Sequence, residues 1–112
     1  MSQDRHFRAH NRRRVDLSAS LRRPPQGHDE AIRIVDLSLA GACIEVGQPL
    51  APGTRVRMEI TAPTLWDPVV VRCRAVWSGA PSSPRSGLCF EHSESALVFA
   101  IFELLEAHAY ET

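Results

Sequence analysis

All thirteen basic residues of this 112-residue chain are arginine, and five of them crowd into its first fourteen positions: Arg5, Arg8, Arg12, Arg13 and Arg14. A guanidinium is planar, always charged and forked, so each can grip a phosphate or the edge of a guanine with paired hydrogen bonds. Arg8 and Arg12 stand in an RxxxR spacing. Fully extended, that spacing separates them by roughly 13 Å; in a turn or helix they come within about 6 Å and converge on one compact anion. The second pattern is Asp36-x-Ser38-x-x-Gly41, between two apolar runs at 31–35 and 42–46. Asp and Ser side chains bond nearby backbone, and Gly41 can take a positive φ without steric cost, so the hexapeptide 36–41 reads as a reversal between strands. Alone, such a short pattern is more often a tight hairpin than a site.

The chain that must position these residues is of ordinary composition, 44% apolar and 23% charged, and its length suits one domain that folds without staples. Formal net charge is zero, but residues 1–23 carry seven Arg against two Asp, while residues 91–112 carry five Glu and no Arg. A basic head and an acidic tail point to anion binding at one end. No apolar run approaches the roughly 20 residues of a membrane helix, and charge from Asp4 onward leaves no signal-peptide core. A cytoplasmic protein without a membrane partner is expected. Cys43, Cys73 and Cys89 are odd in number, in no CxxC pair and each in a strand-like run, which predicts buried, reduced thiols.

Residues 1–14 hold almost no apolar side chain except Phe7 and are expected to form a flexible arm carrying the RxxxR; 15–112 form the folded unit. Alternating apolar residues predict strands at 15–21, 31–35, 42–46, 55–60, 69–77 and 87–91, separated by Pro, Gly and Ser turn signals. In the fifth, Val69, Val71, Cys73, Ala75 and Trp77 share one face and Val70, Arg72, Arg74 and Val76 the other. From 94 to 108 the period changes to a helix capped by Ser93, with Leu97, Ala100, Ile101, Leu104 and Leu105 as its buried stripe. Val98, Phe99 and Phe102 are apolar as well, so this helix either packs on two sides or takes a partner, with a homodimer as one option. Short strands at even spacing followed by one helix predict a mainly β fold, a small six-stranded antiparallel barrel with a C-terminal helix.

RxxxR followed, one strand later, by Asp-x-Ser-x-x-Gly resembles the signature of the PilZ domain family. The run Pro52-Gly53-Thr54-Arg55-Val56-Arg57, the Arg74-Ala75-Val76-Trp77 end of strand five and Gly87-Leu88-x-Phe90 are similar to the family's pattern too. The resemblance covers about 5 to 105 and implies the PilZ barrel and a receptor for the second messenger cyclic di-GMP. It implies ligand contacts from Arg8, Arg12, Asp36, Ser38 and Gly41. Forked arginines suit the N7 and O6 acceptors of guanine or its phosphates, and a carboxylate suits the guanine N–H donors. By the resemblance, Ser38 either bonds the ligand or fixes the turn. Arg13 and Trp77 are further candidates, the tryptophan for stacking on a guanine, against the alternative of a core or rim aromatic. The doublet Arg13-Arg14 follows the RxxxR here rather than preceding it, which leaves the division of labour among the arginines open.

An enzyme is not expected, because no G-x-S-x-G, P-loop or HExxH is present. His6 and His10 have metal-like i, i+4 spacing but no third partner in register, so neither metal nor cofactor is expected. Nucleic-acid binding by the arm lacks interleaved aromatics. The leading expectation is a cyclic di-GMP receptor that couples the nucleotide to ordering of its arm and so to a protein partner. The alternative is a PilZ-fold adaptor that binds no nucleotide and acts only through protein contacts.

Overall fold

The computed structural model describes residues 12–23, 29–79, 84–91 and 95–110. Arg8, the two arm histidines and Ser93 lie outside these residues. Alternation becomes a barrel wall: Val15, Leu17, Ala19 and Leu21 are the inward residues of β1 (Arg13–Arg22). The remaining strands are β2 (Asp29–Leu37), β3 (Gly41–Glu45), β4 (Arg55–Ile60), β5 (Val69–Ser78) and β6 (Arg85–Phe90). They close in the order β1-β2-β3-β6-β5-β4, every neighbouring pair antiparallel. β1 makes closure possible because it is long enough to pair with β2 over its length and with β4 through Ala19–Arg22.

The barrel interior is filled by side chains. Leu21, Ile34, Ile44, Met58, Ile60, Val71 and Cys73 are all less than 2% exposed, each aliphatic one contributing about 1.5–3 kcal/mol by burial. One end is covered by α1 (Ser95–His108), whose Ile101 and Leu104 are fully buried, with Leu97, Ala100 and Leu105 packed beside them. The helix packs on β1 and β5 from one side only. Phe99 and Phe102 are exposed on its other side. Beyond the helix, the Tyr110 N–H donates to the Arg14 carbonyl at 2.8 Å, which ties the chain's end to the start of β1.

The strands differ from the alternation pattern mainly at their ends. β1 starts at Arg13, two residues before the apolar alternation, because Arg13 and Arg14 pair with Leu37 and Asp36. β2 runs on to Leu37, so Asp36 belongs to a strand and the reversal shrinks to Ser38–Ala40, with Gly41 already opening β3. The Pro52-Gly53 turn is as expected, with Gly53 at φ 92. Three places slip register: between Arg14 and Leu17 against β2, between Ile34 and Asp36 against β3, and between Ala75 and Trp77 against β6.

Candidate functional site

Ser38 shows why this turn is built as it is. Its Oγ accepts hydrogen bonds from the Ala40 and Gly41 N–H groups at 3.1 Å each and can donate to the Gly41 carbonyl at 3.3 Å. Its own N–H donates to that same carbonyl at 2.8 Å. A nearly buried hydroxyl thus closes the reversal that brings β2 into β3. Of the two roles the resemblance left open, turn fixing is the one the geometry displays.

Of the two reasons expected for Gly41, a turn conformation and a close approach of backbone, the structure shows the second. Among the described glycines only Gly53 has a positive φ, so backbone handedness is not what Gly41 supplies. A Cβ at Gly41 would instead fall onto the Leu88 carbonyl oxygen and lie 3.2 Å from the carbonyl carbon. The constraint is close approach of β3 to β6, which backbone atoms cannot relieve by changing rotamer.

Asp36 holds an arginine. Its Oδ2 lies 2.9 Å from an Arg12 guanidinium nitrogen, a half-exposed ion pair linking the second Arg of RxxxR to the Asp of the turn motif. The two motifs therefore meet in space, although more than twenty residues separate them in sequence. Arg12 then lines a concavity of about 320 Å³ together with Ser38, Gly41, Trp77, Gly87 and Cys89. That volume is in the range of small-molecule sites, which begin near 300 Å³. Asp36 contributes by fixing Arg12 and faces a neighbouring polar hollow with Arg14, Arg33, Arg85 and Tyr110. Arg13 is exposed on β1 and lines neither.

Trp77 does not continue the inward face of β5. Val69, Val71, Cys73 and Ala75 are buried, but the slip after Ala75 sets Trp77 opposite Gly87, and it is 41% exposed. One extra residue in a strand turns the residues after it to the other face. Strict alternation placed Trp77 inside; the slip moves it to the rim of the concavity. Its indole lies flat on β6 because Gly87 has no side chain: a Cβ there would collide with the indole Nε1, Cε2 and Cδ1. In the sequence Gly87 stood out only as part of a family pattern, and this role was missed. A glycine on the strand that pairs with a terminal Trp was the available signal.

The thiols divide by face. Cys73 is sealed inside, where burial, then Cys89 and Glu91, push its pKa from 9.0 up to about 12. Cys43 is also buried, and desolvation raises it despite the opposing pull of Arg85. Cys89 departs from expectation, since it is only half-buried, on the floor of the concavity. All three are free.

The fold and the rim define a class first: a closed antiparallel barrel with a cation-rimmed, aromatic-sided concavity at one turn. A family model for the PilZ domain matches residues 4–106, and the chain belongs to the PilZ domain family. Solved structures agree on the fold. The chain superposes on the PilZ domain of CeSA from a cellulose-synthesizing bacterium with TM-score 0.69 and 15% identity, covering 86% of this chain and 95% of that one. With the PilZ domain of YcgR from Escherichia coli, solved with c-di-GMP, the TM-score is 0.72 at 13% identity, covering 86% of each. The inhibitor of motility MotI/DgrA from Bacillus subtilis matches with TM-score 0.62 and 13% identity, over 87% of this chain and 48% of that one. No curated protein sequence matches. Among the described residues no helix is long and apolar enough to cross a membrane.

Proposed function

We propose that this protein is a cytoplasmic, non-catalytic receptor for cyclic di-GMP. The observation that carries the reading is the meeting of Arg12, Asp36 and the Ser38–Gly41 turn beside Trp77 at one concavity. A cyclic dinucleotide offers phosphates, guanine edges and guanine faces. Arg12, oriented by Asp36, supplies a fork for an edge or a phosphate, and Arg8 supplies a second. Trp77 supplies a flat surface, since base–aromatic stacking is worth about 1–3 kcal/mol. Gly41 lets β3 lie close against β6 at the floor of the concavity. The presence of c-di-GMP in the related YcgR domain supports the choice of nucleotide.

The same geometry suggests how binding reaches a partner. The Tyr110 N–H is bonded to Arg14, two residues from Arg12, so an arm drawn onto the nucleotide acts next to the anchor of α1. The exposed Phe99 and Phe102 on that helix are the surface whose presentation would change. Calorimetric titration of the protein with cyclic di-GMP, run beside GTP and cyclic di-AMP, tests the reading. Saturable binding of cyclic di-GMP alone is expected. Absence of heat with all three would transfer the protein to the adaptor role, in which Phe99 and Phe102 act without a nucleotide.

A further inference from the structure

The outer face of the β4–β5 hairpin carries an arrangement that the nucleotide site does not use. Arg55 stands directly opposite Arg74, and Arg57 directly opposite Arg72. On the other side Arg57 is opposite Arg22 of β1, which is itself paired with Asp29 at 3.0 Å. Strands lie about 4.8 Å apart and alternate residues about 6.8 Å, so four guanidinium groups rise from a patch of roughly 5 by 7 Å. Like charges directly opposite each other across strands destabilise a sheet. That cost is only partly offset here. Glu91 reaches Arg55 and Arg74 only at 3.7 Å, and among the described residues no carboxylate pairs with Arg57 or Arg72. In the next row, toward the hairpin's end, Glu59 faces Val70, and Val70 is 40% exposed. The loop that closes the same hairpin carries Trp66, which is fully exposed at 101%.

We infer that this hairpin face is a docking surface for an anionic lipid bilayer, with the arginine rows on the headgroups and Trp66 in the interface. Two independent features converge on that occupant. Cross-paired arginines, of which Arg57 and Arg72 have no carboxylate partner among the described residues, gain from a surface of fixed negative charge, each cation near such a surface contributing about a fivefold gain in binding. A fully exposed indole, with a polar N–H on an apolar ring, suits the boundary between headgroups and hydrocarbon. Nucleic acid fits less well: the rows hold no aromatic between the arginines on which a base could stack. The sequence alone argued against a membrane partner for want of a spanning helix, and a surface contact needs none.

The test is co-sedimentation of the full chain with mixed phosphatidylglycerol–phosphatidylcholine vesicles, with pure phosphatidylcholine as control and poly-uridylate as competitor. A Trp77→Phe background leaves Trp66 as the reporter. Binding to the mixed vesicles only, with weakening by salt and a blue shift of Trp66 emission, is the expected result. The double variant Arg57→Glu/Arg72→Glu should lower vesicle partition by more than about a hundredfold. The single variant Arg57→Glu, which turns a like-charge pair into an ion pair, should raise Tm by about 3 °C and yet lower vesicle partition by about thirtyfold, so that binding is lost from a protein more stable than the parent. Partition unchanged in the double variant overturns the proposal. So does retention by poly-uridylate without partition to vesicles, and so does binding to neither.

Discussion

The two sides of this barrel are paired differently. From β1 through β4 to β5 as far as Arg74, partners follow one another without a slip, and side chains alternate inside and outside as the sequence dictates. On the side that holds the concavity, β3 and β6 pair without a slip, but the register shifts around them, next to Arg14, next to Asp36 and before Trp77. Regular pairing makes a wall; slipped pairing re-aims side chains, which is how bulges serve sites. The regular side therefore presents a lattice of like side chains, the Arg rows, while the slipped side gathers unlike ones: a cation, a carboxylate, a hydroxyl, an indole and two close-packed glycines.

The largest effect expected from disturbing the slipped side is at Gly41. In Gly41→Val the new side chain meets a backbone carbonyl that cannot move aside, so β3 and β6 must part. Overpacking of this kind costs about 3 kcal/mol, readable as a drop in the urea midpoint. A variant as stable as the parent would mean that β3 and β6 are less closely apposed than described.

Next in size come Arg12→Ala and Asp36→Ala. Each should cut affinity for cyclic di-GMP about 10- to 100-fold, the range for losing one forked contact to a base. Stability should change by less than about 1 kcal/mol, since the pair is partly exposed to water. The split between binding and stability is the point: if unfolding shifts and binding does not, the ion pair is a clasp for the start of β1 and the comparison between the two sides loses its functional half.

A smaller effect isolates the cradle under the indole. Gly87→Ala should lift Trp77 from β6 and lower nucleotide affinity by about tenfold, the weight of one stacked base. In a Trp77→Ala background the same change should add almost nothing, because coupled neighbours are not additive. Full additivity would separate Gly87 from the tryptophan and leave the glycine as a packing requirement of β6 alone.

How far the sequence could be read depends on the same contrast. The six strands, the single helix, the inward residues of β4 and the turn at Gly53 were legible because period and turn chemistry are local properties. The meeting of RxxxR with Asp-x-Ser-x-x-Gly was legible only by resemblance, since nothing in the spacing of Arg12 and Asp36 states that β1 and β2 pair there. Trp77 was placed on the wrong face, because a slip between β5 and β6 is a property of two strands and leaves no mark on the alternation of one. For Gly41 close approach of the backbone was legible and the turn conformation was not what it supplies; what it approaches, the Leu88 carbonyl, is 47 positions away in sequence and could not be read. The arginine rows were visible as two alternating runs, 55–57 and 72–74, but only the register makes them face each other.

The last test uses thiols to check which way each side of β5 and β6 faces. Cys73, on the regular part of β5, points into the core; Cys89, paired beside it on β6 through Arg74, points out to the concavity. Iodoacetamide should modify Cys89 readily and Cys73 only as the whole barrel opens. The alkaline limb of stability should report the same thing. Below about pH 9 the Cys73 thiol keeps its proton in both states, and its contribution is fully present. As pH rises from about 9 toward 12, the unfolded chain releases that proton while the folded one, held at about 12, does not. Stability should therefore fall by about 1.4 kcal/mol per pH unit on account of this one group. Cys73→Ala, less stable at neutral pH for its lost packing, should lack that slope, so the gap between the two proteins should close as pH rises. A gap that stays constant, with Cys73 alkylated as fast as Cys89, would place the Cys73 thiol in water, and the unslipped register of β4 against β5 could not then stand.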